Sequence, residues 1–301
     1  MKVKFIFLFT LYSLLFLFYP GDSELFHIFA FNRSLFSETS EVKKPVIHPI
    51  PVLKQNAQPF VTAESVYIAD LASFTPVFEK SARTRLFPAS TAKILTALVA
   101  HDIYKPEQII TIGQVVEDGQ VMELVEGEKI TIENLLYGLL VHSGNDAAYA
   151  LADHYGRDKF IVKMNQKAQE LHMKDSLFTN PAGLDEDNQY TTAFDLALAG
   201  RALLSNQYLS KIVSTKEIII SDVDFKYFHT LTNVNKLLGE IRGVGGLKTG
   251  YTELAGENLV SFYKRADGHD LIIIVLKSLD RFNDTTNLIQ WIETNVDYII
   301  L

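Results

Sequence analysis

The chain has 301 residues, 48% of them hydrophobic, enough for one large core or two modest ones. A formal charge of −8 excludes a broad basic face for nucleic acid, and 11% aromatic content argues against disorder in the bulk of the chain. The absence of cysteine excludes disulfides, thiolate nucleophiles and thiolate-bound metals.

Lys2 and Lys4 precede the apolar run "FIFLFTLYSLLFLFY" at 5–19, which Pro20 and Gly21 close. A basic start before such a run reads as an export signal, though it is shorter than the roughly 20 residues of a spanning helix. No small-x-small cleavage site follows, so residues 1–21 are expected as a signal peptide or an uncleaved signal-anchor. Lysines before the run and none just after it place the remainder outside the cytoplasm. Residues 22–60, with Pro45, Pro49, Pro51 and Pro59, are expected as an extended tether. The apolar patch "ELFHIFAFNRSLF" within that segment has no assigned role.

The globular part is expected over residues 61–301. "SVYIAD" and "PVFEKSA" alternate as two strands around "LASFT". "PASTAKILTALVA" follows as a helix, its stripe made by Ile94, Leu95, Leu98 and Val99. "TIENLLYGLLVHSGNDAAYALADHYG" reads as two helices broken at Ser143-Gly144-Asn145, with Thr131 starting the first and Gly156 ending the second. "DKFIVKMNQKAQELHMK" and "TTAFDLALAGRALL" give two more, the latter capped by Thr191 or Thr192. "LKTGYT", "ENLVSFYKRA" and "HDLIIIVLKS" read as strands, the last two as a hairpin, and "NDTTNLIQWIETNVDYII" as a closing helix. Strands at both ends around central helices predict an α+β fold, with one antiparallel sheet built from N- and C-terminal strands and flanked by a helical cluster.

Three short elements carry chemistry: Ser90-Thr91-Ala92-Lys93, Ser143-Gly144-Asn145 and Lys248-Thr249-Gly250. Each alone is weak. The first is usually a cap beside a solvated charge, the second a turn, the third a hairpin feature. A second S-x-x-K even stands at Ser40 to Lys43 in the Pro-rich segment. All three in this order at element boundaries form a strong combination. A nucleophilic serine needs a base in reach, and Lys93 lies one turn from Ser90 on the same side. Burial and a second amine, Lys248, would lower the Lys93 pKa. Ser143 offers a hydroxyl to relay a proton, and Asn145 an amide to hold Lys93 or substrate. The N–H groups of Ser90 and Tyr251 are the expected oxyanion donors. No G-x-S-x-G, no clear partner among the eight His and no H-E-x-x-H stands against these motifs. No metal or cofactor is called for.

On these motifs the chain resembles the serine D-alanyl-D-alanine carboxypeptidases, the low-molecular-mass penicillin-binding proteins, over about 61–298. "LFPASTAKILTAL", "LLVHSGNDAAYALADHYG", "SLFTNPAGLDEDNQYTTAFDLALAG" and "GVGGLKTGYTELAGENLVSFYKR" carry the likeness. The resemblance implies a β-lactamase/transpeptidase-like fold. It makes Ser90 the acyl-ester nucleophile, Lys93 its base, and Ser143 and Asn145 the relay. Lys248, Thr249 and Gly250 would line the cleft, and Arg281 would take the terminal carboxylate. The implied partners are peptidoglycan stem peptides and, as covalent inhibitors, β-lactams. The sequence departs from the family pattern with Gly245 where Asp is usual and Phe194 where Arg is usual. No family β-rich domain or amphipathic tail is expected beyond Leu301, and the N-terminal segment is the expected anchor. Two rival functions remain: a class A-like β-lactamase, disfavoured by S-G-N in place of S-D-N, and a catalytically silent peptidoglycan-binding protein.

Overall fold

The computed structural model describes residues 2–17, 48–54 and 58–300, and the chain divides into two compact units, residues 1–47 and 48–301. In the first, α1 (Lys2–Leu17) exposes large apolar side chains from Val3 to Leu14. Among the described residues no helix is long and apolar enough to cross a membrane. Most of the expected tether, and the second S-x-x-K within it, lies outside the described residues.

The second unit begins with β1 (Ile50–Leu53), β2 (Ser65–Asp70) and β3 (Pro76–Lys80). A 3₁₀ helix, Ala89–Ala92, runs into α2 (Lys93–Ile103). Next come β4 (Ile109–Thr111), β5 (Lys129–Thr131), α3 (Ile132–Leu140), α4 (Asn145–Tyr155) and α5 (Arg157–Glu170). After α6 (Ala193–Ser205) and α7 (Gln207–Val213) stand β6 (Glu217–Ser221) and β7 (Phe228–Thr232). The chain closes with β8 (Val244–Thr252), β9 (Gly256–Lys264), β10 (Asp270–Ser278), α8 (Arg281–Asn295) and β11 (Val296–Ile299).

The main sheet is five-stranded and antiparallel, in the order β3-β2-β10-β9-β8. Strand alternation sends its side chains to two cores. Tyr67, Ala69, Val260, Ile272 and Ile274 face the helical cluster; Val66, Ile68, Leu259, Leu271 and Ile273 face α8. Caps set several helix starts: Asn134 N–H donates to Thr131 Oγ1, Asp195 N–H to Thr192 Oγ1, and Phe282 and Asn283 N–H to Asp280 Oδ1.

Three expectations change. The closing helix stops at Asn295, because the buried Arg265 donates Nη1 to the carbonyls of Ile292 and Val296 and satisfies that end. The remaining β-formers make β11, which pairs with β1, so Ile50–Leu53 of the expected tether belongs to the folded unit. Ser90 sits in a 3₁₀ turn, and the α-helix begins only at Lys93. The short pairs β4–β5 and β6–β7 were not anticipated.

Candidate active site

The segment before Ser90 is shaped by close backbone approaches. Ala89 takes φ 48°, a left-handed conformation that a residue with a Cβ holds only under constraint. The side chain of Asn258, fully buried in β9, supplies part of that constraint. Its Nδ2 donates to the carbonyls of Phe87 (3.0 Å) and Pro88 (3.1 Å), while Lys277 N–H donates to its Oδ1 (2.8 Å). Gly250 and Gly183 make room: a Cβ on Gly250 would lie 3.0 Å from Ser90 N, and one on Gly183 would lie 1.9 Å from Ala89 O.

In a 3₁₀ turn residues i and i+3 eclipse, which lays Lys93 over Ser90. Lys93 is fully buried, and its Nζ reaches Ser90 Oγ (2.8 Å), Asn145 Oδ1 (2.7 Å) and the Ala182 carbonyl (2.9 Å). The last two partners only accept. A neutral amine has two N–H and one lone pair, so donating to both leaves the lone pair facing the Ser90 hydroxyl. Burial lowers the Lys93 pKa from 10.5 to about 7, with the nearby Asp146 carboxylate pulling weakly the other way.

Asn145 opens α4, directly after the break between α3 and α4. In that break Ser143 takes φ 65°, a second strained residue at the site. Its Oγ accepts from Lys248 Nζ at 2.8 Å, and Lys248 donates also to the Thr249 carbonyl at 2.9 Å. Burial first, then the positive charges of Lys93 and Arg281, hold the Lys248 pKa well below its usual value. Two desolvated amines in one cleft do not both stay protonated, so the pair titrates as a unit.

β8 is an edge strand and brings the third motif against the 3₁₀ helix. Thr249 is buried. Arg281, the first residue of α8, reaches back: its Nη1 donates to the Gly250 carbonyl at 2.7 Å, and Glu257 accepts its backbone N–H at 2.9 Å. Tyr251, by contrast, points its side chain outward at 62% exposure. The fold thus gathers Ser90, Lys93, Ser143, Asn145, Lys248, Thr249, Gly250 and Arg281, with the Tyr251 ring outside that cluster.

Sequence reasoning missed the Ala182 carbonyl and Asn258. The stretch "TNPAGL" carried a signal, since an Asn before Pro often ties a turn. Here Asn180 Oδ1 accepts the N–H of Ala182, Gly183 and Leu184 and fixes the carbonyl that Lys93 uses. A lone Asn in a strand such as Asn258 gave none. The two departures also resolve. A Cβ on Gly245 would lie 2.3 Å from the Phe262 ring, which leaves no room for Asp. Phe194 packs on Tyr67 and Phe74, and the Arg83 guanidinium lies 3.9 Å over its ring.

The peptidase S11 model, D-alanyl-D-alanine carboxypeptidase, matches residues 53–279. The chain belongs to the S11 family. Its relatives include the D-alanyl-D-alanine carboxypeptidase DacF of Bacillus subtilis, 31% identical over 221 residues, and DacD of Escherichia coli, 34% identical over 229 residues. These alignments take in 70% and 69% of this chain and 57% of either relative. The S11 fold is matched by the crystal structure of the Streptomyces K15 DD-transpeptidase, with TM-score 0.74 and 31% identity over 78% of this chain and 98% of that one. The structure of DacD from Francisella tularensis matches with TM-score 0.75 and 28% identity over 81% of this chain and 73% of that one.

Proposed function

We propose that this S11 chain is a serine-type D-Ala-D-Ala carboxypeptidase that removes the terminal D-alanine of peptidoglycan stem peptides through an acyl-enzyme on Ser90. The observation that carries the reading is the pair of buried amine–hydroxyl contacts, Lys93 on Ser90 and Lys248 on Ser143, both at 2.8 Å.

Neutral Lys93 takes the Ser90 proton as Oγ bonds to the carbonyl carbon of the penultimate D-alanine. The oxyanion forms against the N–H groups of Ser90 and Tyr251, each worth about 10²–10³ in rate. The C–N bond then breaks, and the proton passes from Lys93 by way of Ser143 to the departing amine. Water attacks the carbonyl carbon of the Ser90 ester as Lys93 takes its proton; the C–O bond to Ser90 then breaks, Lys93 returns that proton to Oγ, and the shortened peptide leaves. The Arg281 guanidinium, beside Gly250, supplies a cation for the terminal carboxylate. A β-lactam presents a strained amide to the same oxygen and leaves an acyl-enzyme that hydrolyses slowly. Residues 1–21 export or anchor the protein, 22–47 lead to the catalytic unit that begins at His48, and the work is done on the outer face of the cell membrane or beyond it.

The test is direct. Purified protein mixed with benzylpenicillin is expected to gain one penicillin mass on the Ser90 peptide and to release D-alanine from a synthetic stem pentapeptide. Ser90→Ala is expected to do neither. Rapid catalytic turnover of penicillin would favour a β-lactamase instead. Absence of both adduct and D-alanine release would favour a silent binding protein.

A further inference from the structure

The loop 113–127, between β4 and β5, carries none of the three motifs but touches one of them. The Asp118 carbonyl accepts Asn145 Nδ2 at 2.7 Å, and the Gln120 carbonyl accepts the Asn145 N–H at 2.7 Å. The first contact decides which way the Asn145 amide faces. With the NH₂ end on a carbonyl, Oδ1 is left for Lys93 Nζ. The flipped amide would set two acceptors together at Asp118 and point donors at the amine. Contact here is tight: a Cβ on Gly119, at φ 71°, would lie 2.7 Å from Asn145 Nδ2.

That loop is held in turn by buried charges. The Asp146 carboxylate accepts the N–H of Met122 (3.0 Å) and Leu124 (3.1 Å). The Met122 carbonyl lies 2.9 Å from Nδ1 of His229, which stands on β7 and is 107 positions away in sequence. His229 Nε2 lies 2.8 Å from Glu128 Oε1, and Glu128 Oε2 accepts the Val125 N–H at 3.0 Å. The side chains of His229 and Glu128 are 4% and 0% exposed. A carbonyl only accepts, so Nδ1 carries a hydrogen and donates it to Met122. Leaving these groups unpaired away from water would be costly, which makes the arrangement a lock with one low-energy setting.

We propose that His229, backed by Glu128, is a positioning residue of the acylation step: it pins Met122, and through the 113–127 loop it aims the Asn145 amide at Lys93. This inference rests on the carboxypeptidase reading, since it assigns a route to Asn145 within that site.

The experiment is a double-mutant cycle on the full chain, read as the rate of acylation by a chromogenic penicillin. His229→Asn is expected to slow acylation by about 10-fold, the scale of coupling between linked neighbours. It should lower kcat for D-alanine release with KM held. In an Asn145→Ala background the same substitution should change acylation less than about 2-fold, because the group it positions is gone. A purely structural loss would slow both backgrounds by the same factor. Glu128→Gln, which keeps shape and removes charge, goes through the same cycle and decides the matter if His229→Asn does not fold. Wild-type rates in the single variants, or equal losses with and without Asn145, would overturn the proposal. Failure of the wild type to acylate would overturn the parent reading instead.

Discussion

The two faces of the main sheet are built from alternate residues of the same strands, yet they hold opposite kinds of interior. Toward α8 the contacts are apolar: Val66, Ile68, Leu271 and Ile273 meet Leu288, Trp291 and Ile292. Toward the helical cluster the apolar core ends in a cleft with two buried lysines and two left-handed residues, Ala89 and Ser143. The first face stabilises the fold. The second gives up stability to keep an amine dry and a serine turned toward it.

The sharpest way to break that contrast is Lys93→Met, which keeps length and removes the base. Penicillin acylation is expected to fall by about 10⁴-fold or more, as when a residue of a catalytic unit is lost. Thermal unfolding should shift upward, because a desolvated amine leaves the core. A lower melting temperature would contradict the reading that the dry amine costs stability. The mirror experiment is Ile273→Ala on the other face. It is expected to lower stability by about 2–5 kcal/mol in urea unfolding, with kcat unchanged well below the transition.

Gly250→Ala tests the seam between the two. Its Cβ would press on Ser90 N and Ala89 Cβ, both 3.0 Å away. Acylation should slow by about 10–100-fold, in line with a small misplacement of reacting groups. Urea unfolding should change little beside Ile273→Ala.

The smallest effects are in pH. Lys93 must be neutral to act, and its pKa in the fold is about 7, so the acylation rate should climb as pH rises toward 7 and level above it. Stability follows the same sign. Between about 7 and 10.5 the unfolded chain holds a proton on Lys93 that the folded chain does not, so wild-type stability should rise with pH across that window. Lys93→Met should reduce that rise to the share left by Lys248, whose pKa burial also lowers. An unchanged slope would place the titration elsewhere.

Most of the helical middle was legible in sequence because caps and breaks are local. Thr131, Thr192 and Gly156 each mark an end that the structure keeps. The main-sheet strands were legible from dense β-formers such as those of "HDLIIIVLKS". β11 was not, since its residues continue a helical pattern, and only Arg265, far back in the chain, closes the helix before it. In the site, the motif spacing announced Ser90 and Lys93, while the partners of Lys93 at Ala182 and of Asn145 at Asp118 are backbone carbonyls. Every residue has a carbonyl, so no side-chain pattern marks the ones that matter.

By itself the sequence determined the α+β class, the order of the motifs and the chemical groups they carry, because propensity, periodicity and residue type are written locally. Tertiary structure alone decided that Lys93 is dry, that its two spare donors are taken and that Asn145 faces it. Desolvation and hydrogen-bond direction depend on neighbours 52 and 89 positions away. The same holds for the His229–Glu128 lock, whose members lie 101 positions apart and meet only once the sheets and helices have closed around them.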